Sequence, residues 1–200
     1  CQNLHIIAAR KNNTWGGHIN SPNMFGGVID NEVHEFVDPD MLYSKLLKKI
    51  SNGGNGVYLL NDVLEKRLPI LRANYKSVCS DVLYRSKPAA RTLVVSSESI
   101  SIDVAELFET NNFSHLRVCI RRPQLSNELI GILNDYSRVI VIEYADSKAG
   151  LGEYLRSQFC RPFEIIALTG YEQPCIVTRQ NELLVKLKNS LITMEECNCD

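Results

Sequence analysis

From Thr92 to Leu191, strand-like and helical patterns alternate with some regularity, and this alternation constrains the fold more than any other feature. Thr92-Leu93-Val94-Val95 reads as a strand, and 101–109 as a helix with Ile102, Val104, Ala105, Leu107 and Phe108 at its apolar positions. Residues 116–120 are strand-like, and 126–134 form a helix that buries Leu129, Ile130, Ile132 and Leu133. RVIVIE at 138–143 is the strongest strand pattern in the chain. A helix at 150–159, a strand at 163–168 and a closing helix at 180–191 with Leu183, Leu184, Leu187 and Leu191 follow. Continuous apolar runs predict strands buried on both faces, and the helices between them call for parallel pairing. The expected fold class is α/β, three-layer, with mostly parallel sheets, helices on both faces and two small domains.

The first part of the chain is less regular. Leu4-His5-Ile6-Ile7-Ala8-Ala9 has the composition of a buried strand. A loop rich in Gly and Asn follows from Lys11 to about Asp30, and its length marks a functional or a disordered segment. Val33 to Val37 is a short strand, after which Asp38-Pro39-Asp40 opens a helix with Met41, Leu42, Leu46, Leu47 and Ile50 on one face. Asn52-Gly53-Gly54 stops it, and Gly56-Val57-Tyr58-Leu59-Leu60 returns as a strand. Between Asn61 and Arg91, charges, Pro69 and Pro88 break the pattern, as in a connection between domains. The expected division is a first domain at 1–75, a linker at 76–90, a second domain at 91–194 and a tail at 195–200.

Composition narrows the partners rather than the reaction. A net charge of -1 gives no electrostatic reason to expect nucleic acid or an anionic membrane. No stretch approaches the ~18 apolar residues of a membrane span, and no signal peptide opens the chain. The 7 cysteines are Cys1, Cys79, Cys119, Cys160, Cys175, Cys197 and Cys199, scattered and without a CxxC pair. A reduced, cytoplasmic protein is expected. Cys1 as an N-terminal nucleophile is a third reading, weighed against a chain that begins there by accident.

In an open parallel sheet, ligands gather beyond the carboxyl ends of the strands. After RVIVIE come Tyr144-Ala145-Asp146-Ser147-Lys148-Ala149-Gly150-Leu151-Gly152, where Gly150 and Gly152 open a helix whose N–H groups could face an anion. The spacing is neither GxGxxG nor a P-loop. Arg121-Arg122-Pro123 follows another strand, and Arg121 and Arg122 could clamp a phosphate or carboxylate. Glu143 and Asp146 flank one loop but otherwise read as a strand end and a turn. Of the four histidines, His5 and His115 read as core or strand-edge residues, and His34 lies in a short strand. His18 differs, because Gly16-Gly17-His18-Ile19-Asn20 places an imidazole in a glycine-flanked loop after a strand end. No GxSxG elbow, HExxH or diagnostic Cys–His spacing occurs, and no metal site is expected.

Taken in order, these segments resemble the C-terminal half of the transketolase superfamily, which includes transketolases, deoxyxylulose-phosphate synthases and the beta subunits of 2-oxo-acid dehydrogenases. RVIVIEYADSKAGLGEYL is similar to that group's strand ending in Glu, short loop, Gly-Leu-Gly and helix. LRVCIRRPQLSNELIGILNDYSRVIVIE before it and PFEIIALTGYEQPCIVTRQNELLVKL after it resemble the flanking parts of the transketolase C-terminal domain. NLHIIAARKNNTWGGHINSPN looks like the late part of the pyrimidine-binding domain, where a strand leads to a Gly-rich loop with an active-site His. EVHEFVDPDMLYSKLLKKISNGGNGVYLL is similar to the section that follows.

The resemblance implies that 1–75 is a partial pyrimidine-binding-like domain and 91–194 a transketolase C-terminal-like domain. It implies a thiamine-diphosphate-dependent enzyme of ketol transfer or 2-oxo-acid conversion, with His18 touching substrate or moving its proton. Several family features are missing. The chain starts past the Glu that activates the aminopyrimidine ring, no Gly-Asp-Gly for diphosphate and magnesium occurs, and Ala145 stands where many members have His. Thiamine diphosphate and magnesium are therefore expected only with a partner chain or further N-terminal residues, in a homo-oligomer or with a diphosphate-binding partner subunit. The rival reading is a non-catalytic doubly wound module for dimerisation or regulatory ligand binding.

Overall fold

The computed structural model describes residues 4–10, 32–61, 68–72, 75–78, 82–121, 124–144, 151–168 and 176–192. In chain order the elements are β1 (His5–Arg10), β2 (Val33–Phe36), α1 (Pro39–Asn52), β3 (Gly56–Asn61), α2 (Leu68–Arg72), β4 (Lys76–Ser77), β5 (Val82–Arg85) and β6 (Thr92–Ser97). They continue with α3 (Glu98–Phe108), β7 (Ser114–Val118), β8 (Ile120–Arg121), α4 (Asn127–Asn134), β9 (Arg138–Tyr144), α5 (Leu151–Arg156), β10 (Glu164–Leu168) and α6 (Ile176–Ile192). The strands form a 4-stranded sheet in the order β1-β3-β2-β8 and a 6-stranded sheet in the order β10-β9-β6-β7-β5-β4.

The larger sheet shows why its strands are apolar without alternation. Leu93 and Val95 of β6 and Val139 and Val141 of β9 point to the face covered by Leu129 and Leu133 of α4 and Leu151 and Leu155 of α5. Val94, Ile140 and Ile142 point the other way, onto Ile100, Val104 and Phe108 of α3 and Leu183 and Leu187 of α6. Residues 93–97 and 139–143 of these strands are therefore buried whichever way they point. β10, β9, β6 and β7 pair parallel, while β5 and β4 close the far edge antiparallel. This is the expected α/β class.

In the smaller sheet β1, β3 and β2 run parallel. Asp38 caps α1 as the sequence indicates, its side chain accepting from the Asp40 N–H at 3.0 Å. Gly53 ends the helix at φ 74, in the left-handed region that glycine enters without a Cβ clash. Leu42 turns into a cluster with Phe36, Tyr58, Cys119 and Ile120.

Two features differ from the sequence reading. The stretch 76–90, expected as a linker, carries β4 and β5, because Val82 is buried and pairs with Val118 while Arg85 pairs with His115. The run 116–120, expected as one strand, divides at Cys119. Residues 114–118 lie in the larger sheet, and Ile120 and Arg121 pair antiparallel with His34 and Val33 of the smaller one. The Glu35 N–H donates to the Cys119 carbonyl at 2.8 Å, so backbone bonding switches partner at that residue. One apolar segment thus ties the two sheets together.

Candidate functional site

The seam between the sheets concentrates the buried polar groups. β7 carries His115 and Arg117 on the side facing α3, alternating with Leu116 and Val118 on the other. Arg117 is 1% exposed and donates from Nε and Nη2 to the two oxygens of Glu98, each at 2.8 Å, in the fork geometry that makes such pairs strong. Its Nη1 reaches the Leu71 carbonyl of α2 at 2.9 Å. The Cys119 thiol donates to Glu98 Oε1 at 3.3 Å. Burial works against the Arg117 charge, but the Glu98 carboxylate overcomes it and holds the guanidinium above its ordinary value. Burial, then the Glu98 charge, pushes the Cys119 thiol up and keeps it protonated.

Beside this pair, His115 bridges the Tyr75 hydroxyl at Nδ1 (2.5 Å) and the Ser96 hydroxyl at Nε2 (2.8 Å). A neutral imidazole offers one donor and one acceptor, and the two hydroxyls take one each. Burial, with Arg117 and Arg85 adding to it, lowers the imidazole well below its ordinary value, so it stays neutral. Tyr75 is raised, chiefly by burial. The order hydroxyl, imidazole, hydroxyl is that of a nucleophile with its base and orienting group. Ser96 and His115 are both 0% exposed, however, so no substrate reaches them. The arrangement is an interlock of α2, α3 and the larger sheet.

At the carboxyl ends of the strands, further charges are engaged within the fold. Asp38, just past β2, takes two bonds from Arg72 at 2.7 and 2.8 Å, and Arg72 also reaches Asp40. The Arg72 hydrogen bond, against the cost of burial, holds the Asp38 carboxyl below its usual range. At the end of β9, Glu143 Oε2 accepts the Gly152 N–H at 2.9 Å. A Cβ on Gly152 would come 2.5 Å from Ile165 Cδ1 and 3.1 Å from Glu143 Oε1, so any larger residue must push the end of Ile165 aside. Gly152→Ala is expected to lower the unfolding free energy by about 1–3 kcal/mol through overpacking, read from denaturant midpoints; an unchanged midpoint counts against this packing.

The sequence-derived site residues are placed as follows. Gly152 lies in the first turn of α5, where its N–H meets Glu143 rather than a free space. Arg121 belongs to β8 by its backbone pairing with Val33, and its side chain lies outside the described residues. His18, Arg122, Gly150 and Asp146 lie outside the described residues, as do Cys1 and Ala145. Sequence reasoning passed over Glu98, Arg117 and Tyr75. The available signal was Arg117 itself, a charge inside an apolar strand, which needs a buried partner.

Several solved structures share this fold. A split-gene transketolase, solved as an inactive beta4 tetramer, is similar with a TM-score of 0.63 and 14% identity, over 95% of this chain and 67% of that one. The transketolase of Campylobacter jejuni subsp. jejuni is similar with a TM-score of 0.59 and 12% identity, over 94% of this chain and 31% of its own length. A transketolase from Pichia stipitis, in mutant form, gives a TM-score of 0.54 and 10% identity over 86% of this chain and 27% of that one. The chain thus has a transketolase-like α/β fold, and it spans less than a third of the latter two chains. No protein-family description matches the sequence, and no curated protein matches it.

Proposed function

We propose that this chain is a subunit, or the C-terminal portion, of a transketolase-like transferase that depends on thiamine diphosphate and makes or breaks a carbon–carbon bond, by ketol transfer or 2-oxo-acid conversion. The carrying observation is the likeness in fold to a split-gene transketolase over 95% of this chain. The residues do not by themselves fit the diphosphate and its magnesium. Among the described residues no group of three or more His, Cys, Asp or Glu could hold a metal ion, and the sequence holds no Gly-Asp-Gly. The cofactor therefore belongs to an assembly in which another chain, or further residues of this one, supplies that end.

In this reading 1–75 is part of a pyrimidine-binding-like domain and 91–194 a transketolase C-terminal-like one. His18, in the glycine-flanked sequence that follows β1, contacts substrate or moves its proton, and Arg121, Arg122 and Gly150 are candidate substrate contacts. An oligomer or partner subunit is supported by apolar surface on β1 and α1, where Leu4, Ile7, Tyr43, Leu47 and Ile50 are exposed, Tyr43 by 62% and Ile7 by 58%. No helix among the described residues is long and apolar enough to cross a membrane. A reducing, cytoplasmic setting accords with the free thiols of Cys119 and Cys160.

The test is reconstitution of this chain with a diphosphate-binding subunit, cofactor, magnesium and a ketose phosphate or 2-oxo acid. Turnover only with both chains is expected, and His18→Ala should reduce it by roughly 10²–10⁴-fold. Unchanged turnover in His18→Ala removes that residue from the site. The second reading, a non-catalytic doubly wound module, is favoured by the carboxyl ends of β6 and β9, where Glu98 and Glu143 are engaged by Arg117 and Gly152. Absence of turnover with either substrate class would select it.

A further inference from the structure

We propose that the segment formed by α2 and Tyr75 is an acid-released strap, held down by neutral His115 and lifted when that imidazole takes a proton from solvent. The strap is short and its attachment is specific. Ile70, Leu71 and Tyr75 pack on Val37, Ile102 and Ala105, a cluster separate from the main cores of both sheets. Two of its polar anchors come from β7, the Arg117 guanidinium on the Leu71 carbonyl and the His115 ring on the Tyr75 hydroxyl, and Arg72 adds a third through Asp38 and Asp40. Arg117 also lies over the Tyr75 ring, 4.9 Å from its centroid.

Among the described residues no carboxylate is in place to receive a charged imidazole. On its own strand its charged neighbour is Arg117, and from β5 it faces Arg85. The carboxylates nearest these guanidiniums are already taken, Glu98 at the start of α3 by Arg117 and Glu109 past its end by Arg85. Asp103 on α3 is buried and has interactions of its own. β6 offers His115 only the Ser96 hydroxyl, and Tyr75 only a phenol raised by burial. An imidazolium here would be a third cation beside two guanidiniums, on a side chain that is 0% exposed. Lifting the strap lets water reach the ring, so the lifted state titrates near the ordinary histidine value while the closed state resists the proton. The ratio of lifted to closed segment then rises by about tenfold between about pH 7.5 and about pH 5.5, the factor set by an ordinary pKa of about 6.5.

The experiment is amide hydrogen exchange on the full chain at the two pH values, corrected for intrinsic exchange rates. The expected result is a roughly tenfold loss of protection in α2 and at Tyr75, with β6, β7 and β9 keeping theirs. His115→Gln, which cannot take the proton, should show no such change. Should that variant fail to fold, the wild-type His115 ring resonance supplies the second measurement, and it should titrate only as the strap opens. Equal protection at both pH values overturns the proposal, as does loss shared with β6 and β9. A tenfold response that survives in His115→Gln, or a ring titrating near the ordinary value with the strap still protected, also overturns it.

Discussion

Arg117→Ala is expected to lower the unfolding free energy by about 3–5 kcal/mol, because it leaves a buried carboxylate without its counter-charge. Glu98 is 0% exposed, and its two oxygens are filled by the Arg117 fork and the Cys119 thiol. Without the guanidinium, the carboxylate must ionise in a dry site or take up a proton. The Leu71 carbonyl loses its donor as well. Against a total stability of about 5–15 kcal/mol for a domain, this loss leaves little margin. Replacing both partners with apolar residues, Arg117→Met with Glu98→Leu, should recover most of it, since the attraction only offsets the cost of burying two charges. Guanidinium denaturation followed by circular dichroism measures all three proteins. A loss below about 1 kcal/mol in the single variant would mean that the pair is hydrated in solution.

Phe36→Ala is the second large effect, expected at about 3–5 kcal/mol. Phe36 is 0% exposed and packs with Leu42 of α1, Tyr58 of β3, and Cys119 and Ile120 beyond β7. Leu83 of β5 packs against the same cluster, so the ring fills space between the two sheets rather than within one. Truncation leaves a cavity that neither sheet can close without breaking the pairing of β2 with β8. Phe36→Leu should cost less, because it restores much of the volume. Loss of cooperativity accompanying the Phe36→Ala destabilisation, seen as non-coincident transitions by different probes, is the further sign of a shared core. A cost under about 1 kcal/mol would place the junction core elsewhere.

How much of this was legible in the sequence depends on where each constraint is written. The RVIVIE strand could be read because both of its faces are buried, which leaves a continuous apolar run. The start of α1 could be read because Asp38 meets its acceptor role two residues away. By contrast, α2 spans Leu68–Arg72 and β4 spans Lys76–Ser77, too short for either period to show. The division of the run at Cys119 has no local mark, since Val118 and Ile120 are equally apolar and only their distant partners differ. The buried network is hidden for the same reason: Arg117, a charge inside an apolar strand, calls for a buried partner, but nothing local points to Glu98, 19 positions away. At the candidate site, the Gly152 N–H was legible as a donor, but its acceptor, Glu143, lies on the preceding strand. His18 stood out through its glycine neighbours, a feature of composition that fixes no position.

The proposed function makes this chain one part of a thiamine-diphosphate enzyme whose diphosphate end is supplied from elsewhere. Calorimetric titration with thiamine diphosphate and magnesium, performed on the chain alone and on the chain mixed with a diphosphate-binding subunit, tests it most directly. No heat of binding is expected for the chain alone, and saturable binding that exceeds the subunit's own is expected for the mixture. Absence of binding in both, or binding to the mixture no greater than to the subunit alone, would contradict it and leave a transketolase-like fold put to another use.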